Sequence, residues 1–138
     1  MFQLTLVTPG KKHFEDLKIS EAIIPGYRGE MNILPGHAPL MTTMSPGMLR
    51  YKTDASKDYI NMAISWGYCE VTPDGITVLA ETAESPVDID VARAEEAKNN
   101  AEEKLRDTNI SAEEVEKNQW RLRRAQMRID VARAHGKA

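Results

Sequence analysis

Residues 73–94 read Pro73-Asp74-Gly75-Ile76-Thr77-Val78-Leu79-Ala80-Glu81-Thr82-Ala83-Glu84-Ser85-Pro86-Val87-Asp88-Ile89-Asp90-Val91-Ala92-Arg93-Ala94, and a change of pattern inside this stretch decides the fold. Pro73-Asp74-Gly75 has the chemistry of a tight hairpin turn, with Gly free to take the turn's unusual dihedrals. Ile76–Glu81 then reads as a strand. Past Pro86 the punctuation stops, and Asp88 or Asp90 is placed to cap a helix by accepting an orphan backbone N–H.

The same contrast holds outward on both sides. All 7 prolines lie at or before Pro86, 7 of the 8 glycines lie at or before Gly75, and Trp120 is the one aromatic residue beyond this point. Turn-rich sequence with short apolar segments reads as strands; a proline-free run of Ala, Glu, Arg and Lys reads as helix. In the first part Phe2, Leu4 and Leu6 alternate with Gln3 and Thr5 up to Pro9-Gly10, a period-two signal ending in a turn. Further candidate strands are Glu21–Ile24, Met31–Leu34, Leu40–Met44, Met48–Lys52, Tyr59–Ile64 and Tyr68–Thr72. Many short strands joined by tight turns favour an antiparallel sandwich or barrel. The expected division is residues 1–86, a β domain, and residues 87–138, a helical hairpin: α+β by segment.

The second part reads as two helices joined at Asp107-Thr108-Asn109, and the short connection makes them antiparallel neighbours. Ser111-Ala112-Glu113-Glu114 fits a capping box. Val115, Leu122 and Ile129 share a seam with Ala125 and Ala132, facing Ala94, Ala97, Ala101 and Leu105 of the first helix. Alanine lets backbones approach closely but buries little apolar area, at about 0.8 kcal/mol per methylene-sized group. Such a hairpin forms yet is reorganised easily by a partner. A permanently closed hairpin is equally compatible with these residues.

Totals exclude several classes. The chain has 138 residues with a net charge of −3, which gives no global pull toward nucleic acid. Cys69 is the only cysteine, so no internal disulfide forms. Met1–Leu6 carries no basic leader, so no secretory signal is expected, and no apolar run approaches the roughly 18 residues of a membrane helix. Membrane association is therefore expected only through a partner. Gly10-Lys11-Lys12 lacks the leading glycine and the hydroxyl residue of a P-loop. His13, His37 and His135 are scattered without a second metal-type ligand at useful spacing. No catalytic constellation and no metal site are read.

One charge pattern stands out. From Lys117 onward there are seven basic residues against one acid, Asp130, and Lys117, Arg121, Arg124 and Arg128 form a stripe at i, i+4, i+7 and i+11. On residues alone, a solvated face that complements the helix dipole is the better reading, with docking to acidic protein or phosphate second. The loop Gly29-Glu30-Met31-Asn32-Ile33-Leu34-Pro35-Gly36-His37-Ala38-Pro39-Leu40 is the densest run of special residues, and displays Glu30 and His37 from a β frame.

At this loop the sequence resembles the epsilon subunits of bacterial and chloroplast F-type ATP synthases, through the pattern G-E-x-x-I-L-P-G-H-A-P-L. Val7-Thr8-Pro9-Gly10, Trp66–Val71, Ile76–Ala80 and Ile89–Ala94 are similar to that family in order and spacing, over nearly the whole chain. The resemblance implies an antiparallel β-sandwich of about ten strands followed by two helices. It implies a non-catalytic rotor subunit of the central stalk, bound to gamma and the c-ring, on the cytoplasmic face of a bacterial plasma membrane. It assigns the ring contact to Glu30 and the His37 loop. It implies that the hairpin restrains ATP hydrolysis when extended, its basic stripe then lying near the alpha and beta subunits. No cofactor is required; some family members bind ATP through an I-D-x-x-R-A motif. Ile89, Asp90, Arg93 and Ala94 match that motif, Glu84 matches an acidic position upstream, and Arg124 and Arg128 match two arginines of the second helix. Asn100 departs, standing where binding members tend to carry arginine, which weakens the expected site.

Overall fold

Alternation of apolar and polar side chains builds the first part. In β1 (Gln3–Thr8), Leu4 and Leu6 are fully buried while Gln3 and Thr5 are only partly so. The computed structural model describes residues 2–56 and 58–134. It divides into two compact units, Met1–Glu84 and Ser85–Ala138.

The first unit is a β-sandwich of eight strands: β1, β2 (Lys11–Lys18), β3 (Glu21–Gly26), β4 (Gly29–Ile33), β5 (Leu40–Met44), β6 (Gly47–Lys52), β7 (Ile60–Thr72) and β8 (Gly75–Glu84). The hydrogen-bonded order is β2-β1-β8-β7-β5-β3-β4, with β6 pairing both β3 and β7. All pairings are antiparallel except β1 with β8, which run parallel from Gln3↔Gly75 to Val7↔Leu79. The core fills with Leu4, Leu6, Ile24, Ile33, Leu49, Ile64, Val71 and Val78.

Eight strands stand where about ten were expected. The candidates Tyr59–Ile64 and Tyr68–Thr72 are halves of the single 13-residue β7, which continues through a bend at Trp66 (φ 26°) and Gly67 (φ 155°). At that bend β7 exchanges its neighbour, from β6 along Ile60–Ile64 to β5 along Gly67–Val71. Since β3 pairs with both β5 and β6, this exchange folds the sheet over itself. β8 is equally continuous, 10 residues long, from the Pro73-Asp74-Gly75 turn onward. Only Gly fits at position 67: a Cβ there would lie 2.0 Å from the Leu79 carbonyl oxygen.

The second unit opens with one 3₁₀ turn (Pro86–Asp88) and continues as α1 (Val91–Leu105) and α2 (Ala112–Ala134). Asp90, not Asp88, caps α1: its Oδ1 accepts from the Arg93 N–H at 3.1 Å. Ser111 Oγ accepts from the Glu114 N–H at 3.2 Å, which starts α2. Between them, the Asp107 carboxylate accepts from the Asn109 N–H at 2.9 Å, an Asx turn. Ala94 and Ala101 of α1 and Ala125, Ile129 and Ala132 of α2 are buried, as the seam requires. Ala97 is exposed, and Leu105, Val115 and Leu122 are only partly covered. The seam therefore rests on alanine more heavily than the heptad spacing suggests. An ion pair between Arg133 and Glu95 at 3.5 Å joins the open end, but both side chains are at least half exposed and add little.

A cationic groove in the helical hairpin

Small residues at the seam leave space beside it. A groove of about 710 Å³ runs along the hairpin, floored by Ala97, Ala101 and Ala125. Its rim carries Arg93 and Lys104 from α1 and Arg121, Arg124 and Arg128 from α2, with no carboxylate among the lining residues. Five cations line one groove of ligand size, a charge arrangement with the chemistry to attract a multiply charged anion. Arg124 also lies over the Trp120 ring, 5.8 Å from its centroid, which fixes the guanidinium's plane. The Arg124 Nε is buried and has no hydrogen-bond partner among the described residues.

The sequence candidates meet this groove unevenly. Arg93, Arg124 and Arg128 come together along it, and Arg121 of the basic stripe joins them. Lys117, the fourth member of the stripe, is exposed and is not part of the lining. Asp90 is spent as the α1 cap, while Ile89 and Ala94 are buried packing residues at the same helix start. Glu84 ends β8 in the other unit. Asn100 lines the groove in person, so the position that departs from the family pattern is still at the site. Lys104 and Asn118 line it too, and sequence reasoning passed over both. Asn118 carried a signal that was available: it is a polar residue on the seam, three after Val115 and seven before Ala125.

The loop candidates are held apart. Glu30, exposed on β4, pairs with Arg50 of β6. His37 closes a turn in which its N–H donates to the Leu34 carbonyl at 3.2 Å, while the Gly36 N–H donates to the Pro73 carbonyl at 3.2 Å. The His37 Nδ1 lies 2.7 Å from the Ala38 carbonyl, which can only accept; Nδ1 therefore carries the proton. The loop's path is thus pinned from the β7–β8 turn.

Other reactive groups are quiet. The buried Cys69 thiol is pushed up to about 11 by desolvation, against a weaker opposing hydrogen bond from the Thr42 backbone. Desolvation, then the Lys11 charge, lowers the His13 pKa. His135 lies outside the described residues. Among the described residues no cluster of three or more His, Cys, Asp or Glu side chains could hold a metal, and no helix is long and apolar enough to cross a membrane.

Comparison with known proteins follows the same division. Residues 1–86 match the family described as ATP synthase, Delta/Epsilon chain, beta-sandwich domain, and residues 88–133 match its long alpha-helix domain. An ATP synthase epsilon chain of Bdellovibrio bacteriovorus is 36% identical over 130 residues, covering 94% of this chain and 93% of the relative. One from Koribacter versatilis is 47% identical over 104 residues, covering 75% and 71%. Among solved structures, a chain of the Euglena gracilis mitochondrial ATP synthase (OSCP/F1/c-ring) superposes with a TM-score of 0.82, covering 97% of this chain and 80% of that one. Its identity is 19%, so that likeness speaks for the fold.

Proposed function

The chain belongs to the ATP synthase delta/epsilon family, as a bacterial F-type epsilon chain, and from that premise we propose that it is a non-catalytic rotor subunit that links gamma to the c-ring and restrains ATP hydrolysis. One observation carries the reading: both family domains match in order and together span nearly the whole chain. In this reading the sandwich grips gamma and offers the Glu30 and His37 region to the polar loops of the c-ring. The complex sits at the cytoplasmic face of the bacterial plasma membrane, and the chain touches the membrane only through its partners. The hairpin is the movable part. An alanine seam separates at lower cost than a leucine seam of equal length, since each lost contact exposes fewer methylene groups. Extended, the hairpin would bring Lys117, Arg121, Arg124 and Arg128 against acidic surface of the alpha and beta subunits. Deleting residues 87–138 in the assembled complex is expected to raise ATPase activity while gamma and the c-ring still co-purify. Unchanged activity removes the regulatory role; loss of gamma removes the rotor role.

A second reading is favoured by the groove itself: the closed hairpin binds ATP as a regulatory ligand. Arg93, Arg124 and Arg128 line one groove with Arg121 and Lys104, a cation set suited to a triphosphate. Lys104 supplies a charge that partly offsets the missing arginine at Asn100. Binding would stabilise the closed hairpin by mass action and hold it away from the catalytic subunits. Calorimetry of the chain with Mg-free ATP tests this, and Arg93→Ala is expected to abolish the heat. Heat that persists unchanged in Arg93→Ala places the ligand elsewhere.

A further inference from the structure

The Glu30 carboxylate is held from two strands away. Glu30 lies on β4, the last strand in the hydrogen-bonded order, whereas Arg50 lies on β6, which is paired on both sides by β3 and β7. β3 runs between them, with Ile23 in register with Arg50 and Pro25 in register with Glu30. The Arg50 Nη2 therefore donates to the Glu30 Oε2 diagonally across β3. The backbone beneath Glu30 is fixed as well. Gly26 and Gly29 pair at the foot of the Tyr27-Arg28 loop, Gly29 takes φ 130°, and the Tyr27 N–H donates to the Thr43 carbonyl at 3.0 Å. On such a frame a glutamate keeps only its side-chain freedom, and Arg50 removes it. The arginine does this at a cost to the sheet. Its Nε is buried and has no hydrogen-bond partner among the described residues. A buried N–H left unpaired weakens a fold, and an ion pair to a half-exposed glutamate returns little. Sheet stability does not account for an arginine here; the direction it gives Glu30 does.

We propose that Arg50 is a positioning residue for the ring contact: it presets the Glu30 carboxylate, so that the ring loops meet an acceptor already in place. The inference rests on the reading that Glu30 faces the c-ring and deepens it. A preset direction matters because immobilising one long side chain on association weakens binding about twofold to twelvefold. A carboxylate already tethered through Oε2 escapes most of that loss, and Oε1 is left to accept from the ring. The competing account is structural: an ion pair that only fastens the edge strand β4 to the sheet.

Rebinding of the full chain to the ATP synthase complex stripped of it, with and without the c-ring, separates the two. Arg50→Met is expected to weaken binding to the ring-containing complex about twofold to twelvefold and to leave binding to the ring-free complex unchanged. Arg50→Lys keeps the charge without the planar fork and is expected to recover part of the loss. Glu30→Ala is expected to weaken ring-dependent binding at least as far. The double variant is expected to bind no worse than Glu30→Ala alone, because Arg50 acts through Glu30. Losses that multiply in the double variant overturn the inference and give Arg50 a role of its own. Equal weakening of Arg50→Met on the ring-free complex also overturns it, as damage to the sandwich. So does Arg50→Met that binds like the parent while Glu30→Ala binds weakly, a result that leaves the ring contact standing. Glu30→Ala that binds like the parent removes the ring contact and the inference together.

Discussion

Replacing Gly67 with alanine tests the bend that closes the sandwich. A Cβ at this position falls 2.0 Å from the Leu79 oxygen and 2.9 Å from the Ala80 Cα, both backbone atoms of the neighbouring strand. No side-chain rotation relieves such a contact, so β8 has to move away from β7. The displaced region includes the pairs Gly67↔Ala80 and Tyr68↔Leu79. Weakening one or two ladder hydrogen bonds costs about 1 kcal/mol each. Holding a non-glycine residue at φ 155° adds roughly 1–3 kcal/mol of strain. Against this, the stiffer unfolded chain returns about 0.4–1 kcal/mol. The net is about 1–5 kcal/mol of destabilisation, and a unit of this size loses about 4–8 °C per kcal/mol. Differential scanning calorimetry of Gly67→Ala is therefore expected to find the sandwich transition at least about 4 °C lower. Gly10→Ala is the control, since a Cβ there meets nothing within 4 Å. Should Gly67→Ala melt within about 3 °C of the control, the bend does not depend on close backbone approach and the reasoning fails.

Ala101→Leu places a larger side chain on the seam and in the groove floor; overpacking of about 1–3 kcal/mol is expected, read as earlier thermal loss of helical signal together with weaker tripolyphosphate binding. Cys69 should resist a disulfide reagent at pH 8 in the native chain and react fully after denaturation, because burial keeps it a thiol. Its folded pKa lies above the unfolded value of 9.0, so the stability this thiol contributes is fully present below pH 9 and is lost as pH rises toward about 11; a melting temperature flat across that window contradicts the burial. Tripolyphosphate affinity should fall steeply between 50 mM and 500 mM salt, since partly exposed cations are screened within a few ångströms at high ionic strength.

The change from β to helical sequence near Pro86 was legible because punctuation and periodicity change together there, two residues past the Glu84/Ser85 division of the structure. Strands with a buried face, such as β1 with Leu4 and Leu6, announced themselves by alternation. β2 did not: Lys11–Lys18 carries Lys11, Lys12, Glu15, Asp16 and Lys18 on the sheet's edge, where charge guards against stray pairing and erases the apolar signal. Trp66-Gly67 looked like a break because a glycine inside a strand pattern resembles a turn. Only the partner exchange between β6 and β5 makes it a bend within one strand. The stripe of arginines was legible from i, i+4 spacing, but its enclosure was not. A groove needs both helices in register, and the seam residues that set that register are alanines, which specify position weakly. Asn118 went unnoticed for a related reason: a lone asparagine in a charged helix looks solvated until its neighbours cover it.

The parallel pairing of β1 with β8 has a consequence for how this protein is made. Gln3 finds its partner only when Gly75 arrives, and Val7 only with Leu79. On the ribosome the first strand therefore waits, unpaired on one side, for almost the entire β domain to be synthesised. The sandwich behaves as a late, all-at-once folding event set by long loop closure, whereas the hairpin that follows assembles from contacts between sequence neighbours. A nascent chain halted before residue 75 is expected to remain protease-sensitive throughout.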